Sequence, residues 1–266
     1  MFRITQTLKC CQLIILLALI LPNISLATST DVTLKKTYPH NTNRVLDVVV
    51  GLAKPPYVIP KDDKGYELEL ISAVFETMDI SPRYIYVPLG RSVSLLDQGM
   101  GEALLTINKF IVPNDEIRTV PYITYKNVAI SLKNKALKVN TIADLNNKKV
   151  AAFQYAHKYL GYEFSKVAAK NPSYIEVPNQ FQQVQLLLEG RVDLLVMDIN
   201  IFNHIYKTLI GQETTSEPNI HPIFPDSPYS VAFKDPNLVE IFNVAFKKYS
   251  LTKEYRSLKN RYEIYN

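Results

Sequence analysis

The sequence predicts an α/β protein: two β-α-β lobes, a ligand cleft between them, and two crossing strands that join them. Three observations predict it. First, the pattern L-L-x-x-G-x-x-[ED]-x-L-[LV] occurs twice, as LLDQGMGEALL at 95–105 and LLLEGRVDLLV at 186–196. Copies roughly 90 residues apart are too widely spaced for stacked repeats of about 20–50 residues, and suit one copy in each of two similar lobes. Second, strand-like and helix-like periodicities alternate as β-α-β-α-β around each copy, the order of a parallel sheet. Third, extended apolar stretches at 122–132 and 227–233 lead from one half to the other and back.

The first lobe reads in order. Residues 44–53 (RVLDVVVGLA) are β-branched and apolar, a buried strand. A proline-rich segment with a KDDKG turn signal follows. Leu68, Ile71, Phe75 and Met78 then recur at helical spacing on one face. Residues 82–87 give a second strand, 91–98 a short helix stopped by Gly99, and 103–107 a third strand. In the second lobe, Thr141 and Asp144 have the spacing of a helix cap. Strands at 149–154, 174–177 and 193–197 alternate with helices at 157–169 and 181–189, the latter ended by Gly190. A strand at 229–233 and helices at 236–249 and 252–262 close the chain. Lobe one is therefore expected over 44–125 and 229–266, and lobe two over 126–228.

Residues 1–27 have the layout of a secretory signal peptide: Arg3 and Lys9, an apolar run, then Ser25-Leu26-Ala27. The run is shorter than the roughly 20 residues a spanning helix needs, so cleavage after Ala27 and periplasmic localisation are expected. Residues 28–43 read as a flexible leader. Both cysteines, Cys10 and Cys11, fall in the removed segment, so the mature chain relies on its core without disulfides. The formal charge of +5 is scattered, with no basic block or interleaved aromatics, which argues against nucleic acid. The four histidines lack metal-ligand spacing, and no phosphate-binding or nucleophile-elbow motif is present. No cofactor or metal is expected.

Strands of open α/β sheets present ligands at their carboxyl ends. That rule selects residues 55–57, 88–91, 106–108, 154–157 and Asp198.

Several stretches taken together resemble the family 3 extracellular solute-binding proteins, periplasmic receptors of polar amino-acid uptake. They are VVVGLAKPPYVIPKDDKGYELEL, LLDQGMGEALL, TIADLNNKKVAAFQ, LLLEGRVDLLVMD and PYSVAFKDPNLVEIFNVAFKKY, spanning roughly residues 45–262 in the family's order. The resemblance implies a type II periplasmic binding protein that closes on a small polar solute. It implies ligand contacts for Tyr57, Arg91, Thr106 and Asp198, the last as acceptor of an α-ammonium. Asn108, Gln154 and His157 join this set from the strand-end rule, and Arg118 as a carboxylate clamp. The family's clamp arginine falls, counted without gaps, on Asn114, and Arg118 lies four residues later. The family's Gly-Ser or Gly-Thr after the second-lobe strand is replaced by Tyr155, Ala156 and His157. These departures put amino-acid specificity in question.

Each site residue has a plain structural alternative. Asp198 is a ligand contact or an N-cap of the next segment. Tyr57 is a stacking wall or core packing. Arg91 faces the cleft or the surface. Arg118 binds ligand or pairs with Asp115 or Glu116. His157 faces the cleft or opens a helix. Glu102 and Asp193, the acids of the repeat, read as structural turn residues. The expected function is solute binding with delivery to a separate ABC permease or membrane sensor, by a monomer and without catalysis. The alternatives are a dehydratase-like periplasmic enzyme using His157, Asp198 or Glu116, and a binding protein without a transport role.

Overall fold

In the computed structural model, the residues described are 44–210 and 217–264. The expected signal peptide and leader therefore lie outside the described residues. The elements are β1 (Arg44–Val50), α1 (Tyr66–Glu76), β2 (Ile80–Tyr86), α2 (Leu89–Asp97), β3 (Ala103–Ile107), β4 (Ile123–Tyr125), β5 (Asn127–Leu132), β6 (Val150–Phe153), α3 (Ala156–Tyr159), α4 (Tyr162–Lys170), β7 (Tyr174–Val177), α5 (Gln180–Leu188), β8 (Leu194–Asp198), α6 (Ile199–Leu209), β9 (Pro218–His221), β10 (Ser227–Phe233), α7 (Asn237–Tyr249) and α8 (Lys253–Arg261). They build two five-stranded sheets, ordered β2-β1-β3-β10-β4 and β7-β6-β8-β5-β9. Within each, the strands of the β-α-β-α-β unit pair in parallel, while the crossing strands β5 and β10 add antiparallel.

The repeated pattern forms the same clasp in both lobes. Gly99 and Gly190 end α2 and α5 in left-handed conformations, with φ of 73° and 67°. In each case the next amide reaches back to close the last turn, Met100 to Leu95 O and Arg191 to Leu186 O. The acid then bonds in both directions to one backbone residue of the neighbouring chain segment, Asp47 within β1 or Lys149 just before β6. Glu102 N–H donates to Asp47 O and its carboxylate accepts from Asp47 N–H at 3.3 Å. Asp193 N–H donates to Lys149 O and its carboxylate accepts from Lys149 N–H at 2.9 Å. Each clasp sits just before the first paired residues, Val48 with Ala103 and Val150 with Leu194, and so sets the register of the two strands and where their carboxyl ends emerge.

Three departures from the sequence reading have local causes. The helix expected over 157–169 is broken by Gly161 at φ 86° into α3 and α4. The extended stretch 122–132 is two strands in different sheets, divided at Lys126. Helix α6 was not foreseen; it buries Ile201, Phe202 and Ile205 on one face and is capped by Asp198. The Thr141–Asp144 capping box is present, but heads only a 3-10 turn, Ile142–Leu145. In lobe one, Phe75 of α1 packs against Phe233 and edge-on to Phe242 of α7, all buried. Each such side chain contributes about 1.5–3 kcal/mol through burial.

Candidate functional site

The carboxyl ends of the parallel strands converge on a cavity of about 70 Å³ between the lobes. At about 10–15 Å³ per water, it has room for about five to seven waters, the scale of a small solute. Lobe one and the crossings supply Lys54, Thr106, Tyr125 and Tyr229; lobe two supplies Phe153, Gln154, Tyr159, Gln180 and Asp198. A wider groove of about 930 Å³ lies on the other side of Tyr159 and is lined by Asn108, Phe110 and Arg118 among others.

The floor on the lobe-one side is a buried charged cluster. Lys54 follows β1 and is only 8% exposed. Its ammonium lies 2.9 Å from the Glu67 carboxylate and donates to Thr106 Oγ1 at 2.7 Å. It also stands 5.1 Å from the Tyr125 ring centroid, a cation–π distance. Glu67 is fully buried on the first turn of α1 and accepts in addition from the hydroxyls of Thr106, Tyr122 and Tyr125. Burial alone would raise the Glu67 carboxyl, but the Lys54 charge and these donors outweigh it and hold the group below the ordinary carboxylate range. Thr106 sits at φ 56°, a left-handed conformation that a β-branched residue rarely adopts. Its amide donates to Tyr122 Oη and its hydroxyl is fixed by Lys54 and Glu67. Strain held in place by such surrounding contacts marks functional sites.

On the lobe-two side, Asp198 ends β8 and caps α6. Its carboxylate accepts the amides of Asn200 and Ile201 through one oxygen and the amide of Lys126 in the crossing through the other. These three bonds use three of the carboxylate's roughly four acceptor positions. Burial pushes the Asp198 carboxyl up to about 6 despite those donors, which pull the other way. Two polar atoms of residues that line it, Tyr159 Oη and Gln180 Oε1, are buried and have no hydrogen-bond partner among the described residues. Buried polar atoms are normally paired, so two orphans on residues lining one cavity point to a missing partner there.

The lobes meet around this cavity. Asn200 Nδ2 donates to Tyr57 Oη at 2.9 Å and Asn108 Nδ2 to Tyr159 O at 3.2 Å. The Tyr155 ring covers Gly90, where a Cβ would collide with it. Asn127 Nδ2 donates to Ser227 Oγ at 2.9 Å and ties the two crossings together.

Of the residues selected from sequence, the structure puts Thr106, Gln154 and Asp198 on the cavity wall. Five stand elsewhere. Tyr57 is 0% exposed and stacks behind Tyr125, with ring centroids 4.2 Å apart, so its neighbour forms the wall. Arg91 is exposed on α2. Asn108 and Arg118 line the wider groove, and the Arg118 guanidinium is held by Asp115 and Val112 O. His157 Nδ1 pairs with Glu176 at 2.7 Å within lobe two. Asn114 is exposed and its Oδ1 accepts from Glu116 N–H. Lys54, Tyr125, Tyr159, Gln180 and Tyr229 were not selected. The strand-end rule misses Lys54 by one residue and reaches Gln180 if it is also applied to β7.

Comparison with solved structures follows the same outline. A histidine kinase sensor domain with similarity to periplasmic binding proteins matches with a TM-score of 0.70 at 19% identity, over 83% of this chain and 96% of that one. The chain has the periplasmic-binding-protein fold. An ancestral arginine-binding protein bound to arginine matches at 0.66 and 19%, over 82% and 97%. A substrate-binding protein of an ABC uptake transporter from Streptococcus pneumoniae with bound histidine matches at 0.67 and 16%, over 83% and 92%. No protein-family model and no curated protein matches the sequence. Among the described residues no cluster of His, Cys, Asp and Glu is arranged to hold a metal, and no helix is long and apolar enough to cross a membrane.

Proposed function

We propose that this chain is a solute-binding protein of the family 3 type, exported to the periplasm, that closes its two lobes on a small polar solute. It then presents the closed form to a separate ABC permease or membrane sensor. The supporting observation is the cavity: walls from both lobes, a volume of solute scale, and two buried polar atoms left unpaired among the described residues. A solute that touches both walls stabilises the closed state through its differential contacts, and closure about the crossings is hinge motion. Thr106, Gln154 and Asp198 remain in the proposed site. Tyr57 acts behind it by buttressing Tyr125 and accepting from Asn200.

A thermal-shift screen against amino acids, polyamines, small acids and short peptides tests this reading. A single-site ligand at about 100 times its Kd adds about 2.7 kcal/mol. For a domain of 150–250 residues, that raises Tm by about 5–11 °C. Absence of any concentration-dependent rise counts against a receptor. Chemical conversion of a stabilising solute during the assay points instead to a dehydratase-like enzyme.

A further inference from the structure

Three donor sets near the cavity could hold an anion, and two of them are already used within the protein. The Arg118 guanidinium is held by Asp115 and Val112 O and lines the other groove. The backbone amides of Tyr155 and His157, at the carboxyl end of β6, both donate to Glu176, at 2.7 and 3.2 Å. The same carboxylate also takes His157 Nδ1 and the Tyr174 hydroxyl, each at 2.7 Å. A side chain of lobe two thus fills the anion seat of its own loop. Lys54 differs. Its ammonium has three N–H donors, two of which meet Glu67 and Thr106, and among the described residues it is the cation on the cavity wall.

We propose that Lys54 is the anion anchor of the cavity, binding an acceptor group of the ligand through its third N–H, while Gln180 Oε1 and Tyr159 Oη receive the ligand's own donors from lobe two. The proposal rests on the receptor reading above and specifies the ligand chemistry: a small solute with one carboxylate and a neighbouring N–H or O–H. Glu67 is a positioning residue. It holds the Lys54 ammonium over the cavity floor and compensates its charge when no ligand is bound. Because three backbone amides already take most of the Asp198 acceptor positions, the ligand's donor end is recognised chiefly by neutral oxygens. The Asp198 charge then acts through space, favouring a zwitterion over a second buried anion.

The test uses full-length protein and matched pairs of probes: glycine and glycinamide, L-alanine and L-alaninamide, lactate and lactamide, with putrescine as an amine lacking any carboxylate. Thermal shift and calorimetric titration are read for each. The expected result is that at least one acid stabilises the protein and that its amide binds at least tenfold more weakly. Lys54→Met should abolish the acid's effect. Because that variant strands Glu67, the Lys54→Met/Glu67→Gln double variant is measured as well, and is expected to fold and to lose the acid equally. Gln180→Ala should weaken the acid with the fold unchanged. An amide or putrescine binding as tightly as any acid overturns the anchor while leaving the receptor intact. So does unchanged acid binding by the double variant. Silence of wild type toward every probe overturns both the anchor and the receptor reading.

Discussion

Lys54→Met isolates the electrostatics of the cavity floor. Glu67 is 0% exposed and Lys54 8%, so neither charge is screened by solvent. Removing one partner of a buried ion pair leaves the other uncompensated and costs about 3–5 kcal/mol. The three hydroxyls that donate to Glu67 remain and soften the loss, which places the expected value near about 3 kcal/mol. Replacing both charges in Lys54→Met/Glu67→Gln puts a neutral amide in the carboxylate's place, and its oxygen still accepts from those hydroxyls. The double variant should then recover most of the loss, to within about 1 kcal/mol of wild type. The sign with pH follows from Glu67. In wild type its carboxyl is held low, so the pair's contribution is present above the ordinary carboxylate range and lost as pH falls through the lowered value. In Lys54→Met the stranded carboxyl is raised by burial, so the deficit is largest at neutral pH and shrinks on acidification. Urea unfolding followed by circular dichroism gives these numbers, since the chain has no tryptophan to report by fluorescence. A single variant within about 1 kcal/mol of wild type at pH 7 would refute the reasoning, as would a double variant no better than the single.

Asp198 should give the protein an opposite acid response. Its folded carboxyl stands at about 6 against an unfolded 3.8, so its contribution is greatest below 3.8 and is lost as pH rises through 6. Wild type should gain about 2 kcal/mol from this group between pH 7 and pH 4. Asp198→Asn, which still caps α6, should lack that gain; parallel unfolding curves would remove the assignment. Gly65→Ala places a Cβ against the Tyr57 carbonyl at φ 109°, and should cost more than about 2 kcal/mol by denaturant midpoint. Gly90→Leu displaces the Tyr155 ring from lobe one and should enlarge the radius of gyration in small-angle scattering without lowering helix content.

The architecture was legible because it rests on periodicity and on a repeat that encodes a backbone clasp. Glu102 and Asp193 bind the backbone of the neighbouring segment in the same way, and both glycines take the left-handed conformation that stops a helix. The site was less legible because the same residue types serve capping, packing and binding. Asp198 at a strand end was visible, but its engagement by the amide of Lys126 as well as those of Asn200 and Ile201 depends on tertiary contacts. Lys54 in a proline-rich loop reads as solvent-exposed, and only the fold brings Glu67, thirteen positions on, against it. Likewise, Glu176 gives no sequence sign that it fills the amides of Tyr155 and His157.

The central claim is that one small solute sits in the cavity between the lobes. A crystal structure of the protein saturated with the tightest-binding acid tests it most directly. The account predicts a single molecule with its carboxylate on Lys54 Nζ of lobe one and its donors on Gln180 Oε1 and Tyr159 Oη of lobe two. The same acid found in the wider groove beside Arg118, with only water between Lys54 and Gln180, would contradict it.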